Sequence, residues 1–100
     1  MQTGNYTIVG SGLDNFVETV RLLLAHNWLW SSVCDKKGDW LVSTDDDVPL
    51  DEVVAVLRAS SVTWFEIVNY GELTTCVEDV PEFNEVMEME PIVEVNRCTE

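Results

Sequence analysis

The sequence predicts an α+β domain, with two helices laid over one face of an antiparallel sheet. Three observations carry this. Short β-prone runs alternate with two stretches whose apolar residues recur at helical spacing. Glycine, proline and acidic clusters separate those stretches. Apolar residues make up 46% of the chain and aromatics 9%, too much for a disordered acidic segment and enough for a packed core.

Tyr6 to Val9 is the first β-prone run, and Gly10 ends it. Ser11 is the expected cap of the first helix, with Asp14 three residues on where a capping box places an acid or amide. Phe16, Val17, Val20, Leu23 and Leu24 then form one apolar stripe, placing a helix over 12–26 that Asn27 ends. Trp28 to Cys34 and Trp40 to Thr44 read as two strands around the turn Lys36-Lys37-Gly38-Asp39, a hairpin over 28–44. Alternation puts Trp28 with Trp30 on one face, and Val62 with Trp64 on another.

Asp45-Asp46-Asp47 is a polar connection, and Pro49 suits a first helical turn. Leu50, Val53, Val54 and Leu57 give a second stripe that ends near Ser60. Val62 to Tyr70, rich in β-branched and aromatic residues, is a strong strand. Gly71-Glu72 is a turn, and Leu73 to Glu78 a shorter strand. Pro81 opens a helical segment carrying Phe83, Val86 and Met87; Pro91 stops it, and Ile92, Val93 and Val95 suit a last edge strand.

Residues 1–70 thus form a β-α-β-β-α-β core, the order of the ferredoxin-like split βαβ fold. Residues 71–100 form an acidic extension of hairpin and short helix. The hundred residues make one domain. This fold class selects no function by itself, so function must come from the side chains.

Charge is the least ordinary property. The net charge is −14, beyond the range of about 2–8 usual for a small domain. It is unevenly spread: residues 1–44 carry −1, residues 45–70 carry −5 and residues 71–100 carry −8. Nucleic acid and anionic membranes are poor partners for such a chain, and basic protein surfaces or cations are better ones. Three cysteines, Cys34, Cys76 and Cys98, make no disulfide framework, so they are expected reduced in the cytoplasm. No leader peptide or membrane span is expected from the sequence.

The residues point to no enzyme, cofactor or metal site. His26, the one histidine, falls in the last turn of the first helix and has no nucleophile spaced to meet it. The cysteines lack the paired spacing of zinc sites. Gly10-Ser11-Gly12 lies between strand and helix, yet completes no phosphate-binding pattern and has no base beside it. Asp45, Asp46 and Asp47 have oxygens suited to Ca²⁺ or Mg²⁺, but the EF-hand register is missing. The tryptophans supply ring area without the basic residues that RNA recognition needs.

What remains is a carboxylate surface fit to cover a basic, nucleic-acid-binding surface of a target protein or nuclease complex. Association would be steered by charge and held by apolar contacts. The candidate contact residues are Asp45, Asp46, Asp47, Glu78, Asp79, Glu82, Glu85, Glu88 and Glu90. On a helix, Glu78, Glu82 and Glu85 would share one side, and Glu88 would continue the row. In bulk character the chain resembles the small acidic proteins with which phages block host nucleases and CRISPR complexes. It also resembles acidic immunity proteins that neutralise nuclease toxins. That resemblance implies a nucleic-acid-mimicking inhibitor in the cytoplasm, the host's for a phage protein, and transfers no individual residue. The alternative is a homo-oligomeric structural or adaptor protein, such as a homodimer, with the acidity serving solubility.

Overall fold

The computed structural model describes residues 3–68 and 90–96. They form a mixed α+β fold with two helices and two antiparallel sheets. In chain order the elements are β1 (Thr3–Gly4), β2 (Thr7–Ser11), α1 (Leu13–Ala25), β3 (Leu29–Cys34), β4 (Asp39–Thr44), β5 (Val48–Pro49), α2 (Leu50–Arg58), β6 (Trp64–Val68) and β7 (Val93–Asn96). The expected strand Leu73–Glu78 and the helical segment after Pro81 lie outside the described residues.

The larger sheet has the order β3-β4-β2-β6-β7, each neighbour antiparallel. A single sheet was expected, and this is corrected by the second one. β1 and β5 pair over two residues each, Thr3 with Pro49 and Gly4 with Val48. Asp47 makes this possible by taking a left-handed conformation (φ 57°), which its short polar side chain tolerates better than most. The chain then turns back beside its own N-terminal segment. Pro49, lacking an N–H, keeps that ladder short.

Ile8, Trp40, Val42, Phe65 and Ile67 pack with Leu23 of α1 and Leu50, Val53 and Leu57 of α2, and all are buried. Val54, expected in the same stripe, is half-buried. Val62 joins this core but Trp64 does not, so the expected pairing of their faces fails, because the strand begins only at Trp64. On the strands' other side, Thr7, Val9, Leu41 and Ser43 are buried as well. A register shift between Leu29 and Ser31 also breaks the alternation expected for Trp28 and Trp30.

Gly10 shows how sequence and packing meet. It stands opposite Trp40, where a Cβ would collide with the indole. The missing side chain lets the fully buried Trp40 ring lie against the β2 backbone, with Phe16 tilted over it at 6.2 Å between centroids.

Local chemistry fixes the ends of α1. The expected Ser11 cap is corrected. Ser11 is held in β2 opposite Asp39, so Gly12 takes the cap position without a side-chain cap bond. Its φ of 93° suits glycine, and its N–H donates to the Gly38 carbonyl at 2.8 Å. At the other end Asn27 is left-handed (φ 59°). The N–H of Trp28 donates to the Leu23 carbonyl and that of Asn27 to the Leu24 carbonyl, a Schellman ending. It turns the chain directly into β3. No described helix is long and apolar enough to cross a membrane.

Candidate protein-binding surface

The best-placed acidic surface lies where β4 leaves the large sheet. Thr44, at the end of β4, is fully buried and anchors it. Its hydroxyl accepts from the Tyr6 N–H at 2.9 Å and donates to the Asp45 carbonyl at 3.1 Å. Its own N–H donates to the Tyr6 carbonyl at 2.9 Å, and Asn5 Nδ2 donates to its carbonyl at 3.0 Å. The Asp45 N–H then donates to the Trp28 carbonyl at 2.8 Å. The loop backbone is thus tied to two neighbouring segments while Asp45, Asp46 and Asp47 stay exposed.

Four residues past Asp47, Asp51 and Glu52 occupy the first turn of α2 and are also exposed. Carboxylates are favoured there by the unpaired amides of the helix start. Five carboxylates therefore fall within eight residues with no base among them, and none forms a salt bridge among the described residues. No three His, Cys, Asp or Glu side chains among the described residues gather as a metal site.

Of the other predicted contact residues, Glu90 is described and exposed. Glu78, Asp79, Glu82, Glu85 and Glu88 lie outside the described residues, as do Cys76 and Cys98.

His26 and Cys34 are not brought together. His26 stacks on Trp28 at 4.4 Å, and its Nδ1 is 2.9 Å from the Leu22 carbonyl. Cys34 sits at the far end of β3, its thiol 3.7 Å from the Asp35 carbonyl. The whole strand separates them, at about 3.3 Å per residue.

The start of α1 holds a groove of about 530 Å³ lined by Gly12, Leu13, Asp14, Asn15, Ser61 and Thr63. Its charged lining residue is itself an acid, Asp14. Asn15 is already used, donating to the Ser11 carbonyl at 2.9 Å and to Thr63 Oγ1 at 3.0 Å. The Gly10-Ser11-Gly12 turn joins β2 to α1, and no base is among the described residues lining the groove.

A second, apolar groove was not foreseen from sequence. About 350 Å³ in volume, it is lined by Phe16, Val17, Val20, Arg21, Leu24 and Ser32. The one stripe expected for α1 is divided. Leu23 is buried and Phe16 and Val20 half-buried, while Val17 and Leu24 are exposed together with Leu13. The signal was present, since the apolar positions of α1 span more of the helix circumference than one packed neighbour covers.

One carboxylate is perturbed. Glu66 on β6 stands directly opposite Glu94 on β7. Burial raises its pKa above the usual carboxylate value, and repulsion from Glu94 and a shared hydrogen bond with it add to the rise. The two groups are a cross-strand like-charge pair.

Compared with known proteins, the chain matches no family model, no curated protein and no solved structure.

Proposed function

We propose that this chain is a non-enzymatic protein-binding inhibitor that covers a basic, nucleic-acid-binding surface of a target protein or complex. The observation that carries the reading is the exposed set Asp45, Asp46, Asp47, Asp51 and Glu52, held on a backbone tied down by Thr44 and Trp28. Side chains displayed from a fixed backbone lose less entropy on docking than those of a loose tail. Carboxylates without bases among them set up a one-signed field that steers a basic partner. The scaffold we propose is a ferredoxin-like core, supported by the strand order β3-β4-β2-β6 with a helix after its first and third members in sequence.

The test is affinity capture at low and high salt, from lysate of the source cell and of any host it infects, comparing the wild-type chain with Asp51→Lys/Glu52→Lys. Basic nucleic-acid-binding proteins held by the wild type, released by salt and absent from the reversed variant are the expected result. The same capture by both proteins, with folding unchanged by circular dichroism, overturns the assignment of this surface.

A further inference from the structure

Leu13, Val17 and Leu24 lie on one line of α1, within about 40° of each other at 100° per residue. They are 63%, 56% and 58% exposed, the most open large apolar side chains of the described residues. Val17 and Leu24 line the groove shared with Phe16, Val20 and Ser32, so they face the side of the molecule where β3 runs. Among the described strands β3 forms one edge of the large sheet.

Leu29-Trp30-Ser31-Ser32-Val33-Cys34 contains no charge and no proline, the devices that ordinarily keep edges apart. Its register shift is confined to the Leu29 end and leaves Ser31 to Cys34 regular. The Asp35 N–H donates to the Asp39 carbonyl, which sets the alternation along the hairpin. Val33 and Ser31 bond towards β4, and the backbone groups of Ser32 and Cys34 point outward.

Charge selects the occupant. Two copies of a chain at −14 repel each other everywhere except over a neutral face. Residues 1–44 carry only −1, and Arg21 on the α1 flank is already bonded to Glu18 at 2.9 Å through both Nε and Nη2. Lys36 and Lys37 lie in the turn just past the end of β3, and Asp45 lies beside its start, bonded to Trp28. When one β3 runs antiparallel to another, the end of each meets the start of the other. The lysines of each copy then approach Asp45 and Asp46 of the other copy.

We infer that two copies of this chain associate through β3 and α1: the β3 edges pair antiparallel about a two-fold axis, and the exposed α1 stripes pack together beside them. An axis perpendicular to the sheet keeps both α1 helices on one side, so the stripes meet across the new seam. Every contact occurs twice, which doubles a modest apolar stripe and two lysine–aspartate contacts into a closed interface. Asp51 and Glu52, on α2, remain as the acidic surface of each copy.

The experiment is sedimentation equilibrium of the full chain with native mass spectrometry. The wild type is expected to be dimeric. Val17→Glu/Leu24→Glu, at exposed positions, should raise the dissociation constant by about tenfold or more with unchanged circular dichroism. Lys36→Glu/Lys37→Glu and Asp45→Lys/Asp46→Lys, each repelling its own copy at the seam, should be monomeric alone and form a heterodimer when mixed. A wild type monomeric at about 100 µM overturns the inference. So does a dimer indifferent to Val17→Glu/Leu24→Glu, or a charge-reversed pair that does not combine.

Discussion

Gly10→Ala, the addition of one methyl group, tests the packing of the central strands most sharply. The new Cβ would stand 2.8 Å from both Cε2 and Cη2 of Trp40, and closer still to Cζ2. Carbon atoms pack best at about 3.5–4.0 Å, so the indole must retreat or β2 and β4 must part. Trp40 is fully buried and lies against Phe16, which leaves it little room. Overpacking of this kind costs about 1–3 kcal/mol, and replacing a strand glycine returns about 0.5–1 kcal/mol. The expected net loss is about 1 kcal/mol, or roughly 4–8 °C in Tm for a domain of this size. Thermal and urea unfolding followed by circular dichroism read it directly. Trp40→Phe supplies the control by removing the ring atoms that collide. In that background Gly10→Ala should cost less than about 0.5 kcal/mol, the coupling expected of two groups in contact. A Gly10→Ala protein as stable as wild type, or one equally damaged in both backgrounds, would refute the argument.

Two further changes probe the polar side of the fold. Glu66→Gln removes one member of the cross-strand acidic pair and should stabilise the protein by about 0.5 kcal/mol at neutral pH. The raised pKa means the folded chain keeps a proton that the unfolded chain has released. Wild-type stability from this group is therefore fullest below the ordinary carboxylate value and is lost as pH rises through the raised one. The advantage of Glu66→Gln should shrink as pH is lowered through that window; urea midpoints showing a constant or growing advantage would contradict it. Thr44→Val deprives the buried Tyr6 N–H of its acceptor and the Asp45 carbonyl of its donor. An unsatisfied buried donor costs about 1–3 kcal/mol, so a loss in that range is expected, with faster hydrogen exchange at Asp45. Unchanged stability and exchange would show that Thr44 does not hold the acidic loop.

Periodicity was enough to place α1, α2, the 28–44 hairpin and the Trp64–Val68 strand, because each buries one face and its side chains repeat accordingly. It failed where backbone geometry decided the outcome. Ser11 has a capping side chain, but its place in the β2–β4 ladder prevents it from serving as the cap, and only glycine suits the conformation at position 12. The β1–β5 pair rests on two residues per strand and a left-handed Asp47, too short for any alternation to register. Gly10 read as the end of a strand; a glycine inside a β-prone run also marks close approach of another group, which is what Trp40 makes of it. The site was legible in part. Composition located the Asp45–Asp47 cluster, and the structure adds the anchoring by Thr44 and the neighbouring Asp51 and Glu52. The apolar edge formed by α1 and β3 was not read, since a sequence does not show which part of a wide stripe its neighbours leave uncovered.

The two surfaces follow from one constraint. A chain at −14 cannot spread its charge evenly and still keep a face on which apolar groups can associate, because like charges around such a face would oppose contact. Here the first 44 residues hold nearly balanced charge, and they build α1, β3 and β4, the elements at one edge of the sheet. Acids accumulate from Asp45 onward, beginning where the chain leaves that edge. A dimer formed through the neutral edge would use Lys36 and Lys37 internally, withdrawing two of the few bases the chain has. What it presents outward would then be more uniformly acidic than either copy alone. The seam would also take up Asp45 and Asp46, so docking of such a dimer on a basic target would fall to Asp51 and Glu52 on α2, outside the neutral edge.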